Sequence, residues 1–164
     1  MIKKNYRYYL FIIGLLFNAI PLVAQEAKIS PSEKQEAIFL NLAESLYKDG
    51  EYNRALSVYL DFVDLYPDSS FLVRALETMA DLYEKLQKYP EALNIYETLY
   101  QRTGTSSSRG LFYYYNQARI LNIMGDVDKA AKIYDEIVKI SPDSPYAKKS
   151  QINNKLNSIF NQDS

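Results

Sequence analysis

The chain has 164 residues, with 19 basic and 20 acidic side chains and no His, Cys or Trp. Without His and Cys it lacks the commonest general base, the best nucleophile, the usual transition-metal ligands and any disulfide, so packing alone must hold the fold. Setting aside residues 1–24 leaves 16 basic against 20 acidic groups, a balance that argues against nucleic acid and other polyanions as partners.

At the N-terminus, Lys3, Lys4 and Arg7 precede an apolar run from Leu10 to Phe17, and the small residue Ala24 follows at cleavage distance. This pattern reads as a secretory signal peptide over residues 1–24, with Gln25 as the new N-terminus. The alternative is an uncleaved membrane anchor. Tyr8–Ala24 spans only 17 residues and holds Asn18 and Pro21, short of the roughly 20 apolar residues of a spanning helix. Membrane contact is therefore expected only through this segment, if it stays in place. No Cys stands at the cut to carry a lipid. The expected compartment is the periplasm, with outer-membrane association or secretion as alternatives.

After the leader, Ser30-Pro31-Ser32-Glu33 is a helix start, with Ser30 as cap, Pro31 at the first helical position and Glu33 closing a capping box. From there one ten-residue phrase recurs: GEYNRALSVY at Gly50–Tyr59, QKYPEALNIY at Gln87–Tyr96 and GDVDKAAKIY at Gly125–Tyr134. Aligned on Ala55, Ala92 and Ala130, the copies recur at an almost constant interval, one that falls within the range of stacked helical repeats. Gly50 and Gly125 suit a turn between antiparallel helices, the alanines a close helix crossing, and Tyr59, Tyr96 and Tyr134 the core. Helices are expected roughly over 31–48 with 52–66, 70–86 with 90–102, and 110–124 with 127–139. The connectors Tyr66–Ser70 (YPDSS) and Ser141–Tyr146 (SPDSPY) are near-copies in which Pro stops one helix and Asp or Ser caps the next. The middle connector, Thr103–Gly110, is polar and expected to be mobile. A seventh helix should run from about Pro145, with Tyr146, Lys149, Ile152, Leu156, Ile159 and Phe160 on one side and polar residues on the other, as a solvating cap.

The phrase resembles the heart of the tetratricopeptide repeat. Around it stand Phe39, Leu42, Ala43 and Leu46, then Leu76, Met79, Ala80 and Tyr83, then Tyr114, Gln117, Ala118 and Leu121, where that family's first helix carries its packing residues. Gln117 fits that pattern worst. The resemblance implies an all-α fold: a right-handed superhelix of about three helix pairs plus a C-terminal capping helix. The domain would cover 25–164, with repeats at about 36–69, 73–106 and 111–144 and the cap at about 145–160. The repeat spacing and the P-D-S connectors also resemble bacterial cell-envelope members of the family, of the Tol-Pal coordinator type.

The resemblance further implies a non-catalytic adaptor or scaffold that binds a peptide or helix of an envelope protein in the concave groove. Carried over position by position, the groove falls on Ala37, Leu40, Asn41 and Glu44, then Arg74, Glu77, Thr78 and Asp81, then Phe112, Tyr115, Asn116 and Arg119. Tyr115 is expected to stack on a ligand side chain and Arg119 to pair with a carboxylate. The family's clamp for a C-terminal carboxylate has no counterpart, since Leu40, Glu44, Thr78, Phe112 and Asn116 replace its Lys, Asn and Arg groups. Alternatives are a spacer that self-associates through its end repeats and, if the N-terminus is no signal, a secretion-type chaperone. No catalytic residue, metal or cofactor is expected. Glu77, Asp81 and Glu84 share one helix face, a spacing compatible with acid-base work or Ca²⁺ but expected to be a solvated or partner-facing surface.

Overall fold

The computed structural model describes residues 31–160, and these form seven α-helices: α1 (Pro31–Lys48), α2 (Tyr52–Leu65), α3 (Leu72–Lys85), α4 (Tyr89–Thr103), α5 (Ser108–Ile123), α6 (Val127–Ile140) and α7 (Pro145–Phe160). The chain divides into two units, Met1–Gln35 and Glu36–Ser164, and the packing described below belongs to the second. The expected signal peptide and its cleavage site lie outside the described residues. No helix among the described residues is long and apolar enough to cross a membrane.

The three helix pairs are folded by one turn used three times. At each, a residue takes the left-handed conformation: Gly50 at φ +77°, Gln87 at +57° and Gly125 at +86°. The next amide then reaches back five residues, from Glu51 to the Leu46 carbonyl (2.9 Å), Lys88 to Tyr83 (2.8 Å) and Asp126 to Leu121 (2.9 Å). This closes the C-terminal carbonyls of the first helix and reverses the chain. Packing follows from the recurring phrase. Ala55, Ala92 and Ala130 are fully buried, where only a small residue lets two helices cross closely. Tyr59, Tyr96 and Tyr134, one turn later, are buried core rings. One apolar cluster runs from Leu40 on α1 to Ile120 on α5, and Ala118, Ala130 and Tyr134 form a second.

Three expectations need correction. The middle connector is not a loose polar stretch: α5 begins at Ser108, and the Ser107 hydroxyl accepts from the Gly110 amide at 3.0 Å. Gly110 is buried so close to the end of α4 that a Cβ there would lie 1.6 Å from the Gly104 carbonyl oxygen. Within the aromatic run Phe112–Tyr115, Tyr113 is the fully buried ring, whereas Tyr114 is half-buried and stacks on Tyr100 at 4.3 Å between centroids. The third correction concerns α7, which packs the opposite face to the one its apolar pattern suggests. Ala147 and Ser150 are fully buried, Asn153 donates to the Tyr115 hydroxyl at 3.0 Å, and Asn154 donates to Asp135 on α6 at 2.7 Å. Ile152, Leu156 and Ile159 point outward. The polar face carries a cost: Ser150 Oγ, Asn154 Oδ1 and Asn157 Nδ2 are buried without a hydrogen-bond partner. Gln117, the poorest match to the repeat pattern, is buried but satisfied, donating to the Tyr96 carbonyl at 3.2 Å.

Candidate functional site

The first helix of the second pair, α3, carries three carboxylates one turn apart, Glu77, Asp81 and Glu84, and α1 contributes Glu44; each is held by at least one group from a neighbouring unit. Glu44 on α1 accepts from Arg74 on α3. Asp81 accepts from the Tyr47 hydroxyl at 2.5 Å, with Lys85 3.7 Å from the same oxygen. Glu77 takes Arg109 in a two-point contact, both bonds 2.9 Å, and the Tyr113 hydroxyl at 2.6 Å. Glu84 takes Arg119 on both oxygens at 2.6 Å and the Tyr96 hydroxyl at 2.9 Å. Every α3 carboxylate that the sequence places on one face thus has a cation and a tyrosine within reach. They bridge units and do not converge on a common point, and no acidic cluster suited to a metal ion occurs among the described residues.

These contacts shift the tyrosines. The bond to Asp81 and then burial push the Tyr47 phenol up; burial first, then the bond to Glu77, does the same for Tyr113; burial and the charge of Glu84 raise Tyr96. All three stay neutral donors at physiological pH, which suits a hydroxyl set against a carboxylate.

Between α1 and α3 lies a cleft of about 400 Å³ lined by Glu44, Tyr47, Lys48, Tyr59, Arg74, Glu77, Thr78 and Asp81. Each of its three carboxylates is paired with a cation, Glu44 with Arg74, Glu77 with Arg109 and Asp81 with Lys85, so the lining is mixed in charge. Tyr59, buried from solvent and raised in pKa by that burial, contributes to its wall.

Of the twelve candidate groove residues, the cleft brings together Glu44, Arg74, Glu77, Thr78 and Asp81. Asn41 is exposed on α1, one turn before Glu44. Leu40 is buried in the core cluster and Asn116 is buried on α5, where its amide donates to the Phe112 carbonyl at 2.8 Å. The third-unit residues stand apart from the cleft lining. Phe112 packs against Tyr96 and Tyr146, with centroids 6.3 and 6.0 Å away. Tyr115 lies between Tyr134 and Tyr146, at 5.8 and 5.9 Å, with the Lys149 ammonium 5.8 Å from its ring centre. The neighbours named for Tyr115 therefore lie within the chain, at the junction with α7. Arg119 has an internal carboxylate in Glu84, so a ligand carboxylate would have to share it.

Tyr47, Lys48 and Tyr59 line the cleft although none was among the candidates. Glu44, Tyr47 and Lys48 stand at i, i+3 and i+4, a spacing that places them on one helix face and carries the missed signal. Tyr59 reads as core and is core as well as wall. Arg109 sits at the edge of the middle connector, where no periodicity points across 32 residues to Glu77.

Comparison with known proteins agrees with this architecture. A family model described as anaphase-promoting complex, cyclosome, subunit 3 matches residues 3–99, and a tetratricopeptide-repeat model matches residues 77–145. No curated protein matches the chain. Among solved structures, a tetratricopeptide repeat protein from Parabacteroides merdae superposes with a TM-score of 0.62 at 21% identity, over 84% of this chain and 50% of that one. The present chain thus spans half the length of that protein. PcrH in complex with the chaperone binding region of PopB superposes at 0.57, with 15% identity over 74% of this chain and 95% of the other. The first such domain of Spaghetti (RPAP3), bound to an HSP90 peptide, also superposes at 0.57, with 13% identity over 76% and 94%. At such identities the superpositions show the fold. With the family models matching 3–99 and 77–145 and the same helical-pair turn built three times, the chain belongs to the tetratricopeptide-repeat family.

Proposed function

We propose that this protein is a non-catalytic adaptor that receives a peptide segment or helix of another protein in the cleft between α1 and α3, and that it acts after export, in a bacterial cell envelope. The observation that carries the reading is the cleft itself: a concavity of about 400 Å³ whose lining mixes carboxylates, Arg74, Lys48 and two tyrosines. Its size suits a few side chains of an incoming segment. Arg and Tyr are residue types that concentrate binding energy at protein interfaces. The lining, mixed in charge, suits a segment that carries polar side chains beside an apolar residue. In support, PcrH and RPAP3, which share the fold, are described in complex with a segment of another protein. Export rests on Lys3, Lys4 and Arg7 ahead of the apolar run Leu10–Phe17.

A photo-crosslinking amino acid placed at Lys48 in the source cell tests both parts. The expected result is a discrete adduct with an envelope protein that disappears when Arg74→Glu is added. Adducts of the protein with itself alone would assign the cleft to self-assembly. A partner confined to the cytosol would remove the envelope reading, and the absence of any adduct would remove the cleft.

A further inference from the structure

Helix α7 sits in the register of α3 but with a different chemistry. Pro142 stands in the place of Pro67, and the amides of Ser69 and Ser144 make the same bond, to the Tyr66 carbonyl at 3.1 Å and to the Ser141 carbonyl at 3.0 Å. In that register Ser150, Asn154 and Asn157 on α7 take the places of Ala75, Met79 and Leu82 on α3. The three α3 residues are buried in the apolar cluster. Their counterparts are polar: Ser150 is 0% exposed, and its Oγ, like Asn154 Oδ1 and Asn157 Nδ2, has no hydrogen-bond partner among the described residues. Unmet polar groups and forgone apolar burial both weaken the seat of a helix. What α7 covers is the aromatic face of α5. Tyr146 lies 6.0 Å from Phe112 and 5.9 Å from Tyr115, the Lys149 ammonium is 5.8 Å from the Tyr115 ring centre, and Asn153 donates to the Tyr115 hydroxyl at 3.0 Å. Phe112 and Tyr115 are two of the groove positions that the family resemblance assigns, and α7 fills their surroundings with its own side chains.

We propose that α7 is a releasable lid. It leaves the face of α5 and α6 as one helix, turning on the connector that precedes it, while α1–α6 stay folded, and its release uncovers Phe112 and Tyr115. The aliphatic residues of α7 do little to oppose this, because Ile152, Leu156 and Ile159 are 61%, 44% and 48% exposed with the helix seated. Cohesion rests instead on the Tyr146 ring, on Ala147, and on the hydrogen bonds that Asn153 and Asn154 donate to Tyr115 and Asp135. Water replaces such hydrogen bonds once the helix is free, so their net hold is small. Helix α3, in the same register, buries Leu72, Ala75, Met79 and Leu82 and opens only with the array around it. The third unit thus has a covered and an uncovered state, and any ligand that binds Phe112 and Tyr115 only when they are uncovered shifts the balance toward release. The inference is independent of the cleft, which lies between α1 and α3 and is lined by no α7 residue.

The chain has no Cys, so a single introduced thiol reports the opening. Ser150→Cys and Ala75→Cys stand at matching positions of α7 and α3, both fully buried, and each variant of the full chain is treated with a water-soluble thiol reagent under native conditions. Ser150→Cys is expected to react about tenfold faster or more, at a rate unchanged by urea too dilute to unfold the array. Adding Asn157→Leu, which restores the α3 residue, should slow that reaction about tenfold. In the unmodified chain, amide hydrogen exchange followed by mass spectrometry should show α7 exchanging as a unit and ahead of α5 and α6. Several results would overturn the proposal: equal labelling of the two thiols, labelling at Ser150→Cys that rises with urea in step with loss of helix, no slowing by Asn157→Leu, or α7 amides as well protected as those of α5.

Discussion

Gln87 is the residue at which the repeat departs from its own rule. It occupies the turn position held by Gly50 and Gly125, and it takes the same left-handed conformation at φ +57°. That conformation crowds the Cβ of an L-residue and costs roughly 1–2 kcal/mol, whereas Gly adopts it without strain at some cost in unfolded-chain entropy. Gln87→Gly is therefore expected to raise stability by about 0.5–1 kcal/mol, visible as a higher midpoint in thermal unfolding followed by circular dichroism. A lower midpoint would mean that the Gln87 side chain stabilises the turn. Gly110 is a different case, since its constraint is space. A methyl group there would lie 1.6 Å from the Gly104 carbonyl oxygen, a backbone atom that cannot swing aside. Gly110→Ala should cost about 3 kcal/mol or more through displacement of α5 from α4. Denaturant unfolding checks this, and a loss below about 1 kcal/mol would show that the α4–α5 connector relaxes easily.

Beside the apolar cluster that runs from α1 to α5, carboxylates on α1 and α3 meet cations and hydroxyls from neighbouring helices. Arg119 and Glu84 form the least exposed of these ion pairs among the described residues, with side chains 32% and 19% exposed. A pair at this depth lies between the surface limit of about 0–1 kcal/mol and the buried limit of about 3–5 kcal/mol for removing one partner. Arg119→Met is expected to lose about 2 kcal/mol, because Glu84 keeps its charge and only the Tyr96 hydroxyl remains beside it. Adding Glu84→Gln should recover part of that loss, so a double-mutant cycle would give a coupling above about 0.5 kcal/mol. Additive effects would show that the two side chains act separately and that α3 and α5 are held by packing. The same contact explains why Arg119 was hard to assign from sequence. The family resemblance places it in the groove, but nothing in the local pattern reveals a carboxylate 35 residues earlier that already holds it.

Taken as a whole, the molecule buries phenols in their neutral form. The folded chain raises Tyr47, Tyr59, Tyr83, Tyr96, Tyr100, Tyr113, Tyr114 and Tyr134 above the usual phenol range, with burial the largest cause in each except Tyr47, where the bond to Asp81 leads. Tyr134 is pushed up to about 12. In the unfolded chain these phenols titrate near 10. Between the two values the folded state holds protons that the unfolded state has released, so the stabilisation is complete below about pH 10 and is lost as pH rises through about 12. Unfolding free energy should be flat in this respect from pH 7 to 9 and fall steeply above 10. Phenolate absorbance should rise together with loss of helix. Early ionisation of all the tyrosines in a still-helical protein would refute the burial of these rings.

The architecture was legible in the chain because its cause is local and repeated. A turn residue, a small crossing residue and an aromatic one turn later recur at a near-constant interval, marked by Ala55, Ala92 and Ala130, and that is enough to specify helix pairs that must stack. Observed helix bounds fall within two residues of those the pattern sets. The site was legible in part: the resemblance to the tetratricopeptide repeat, carried over position by position, finds the face that carries Glu44, Arg74, Glu77 and Asp81, but not the depth at which Leu40 and Asn116 sit. Only the tertiary structure decided which carboxylate meets which cation of a neighbouring unit, since those partners lie 30 to 35 residues apart and their meeting depends on how one unit is rotated on the next. Only the tertiary structure decided the orientation of α7 as well. Its sequence offers an apolar stripe and a polar stripe, and amphipathicity alone would bury the first. The connector, with Ser144 capping the amide of Ala147 at 3.0 Å, instead starts the helix so that Ala147 and Ser150 are small enough to seat against the preceding unit, and Ile152, Leu156 and Ile159 are left facing out.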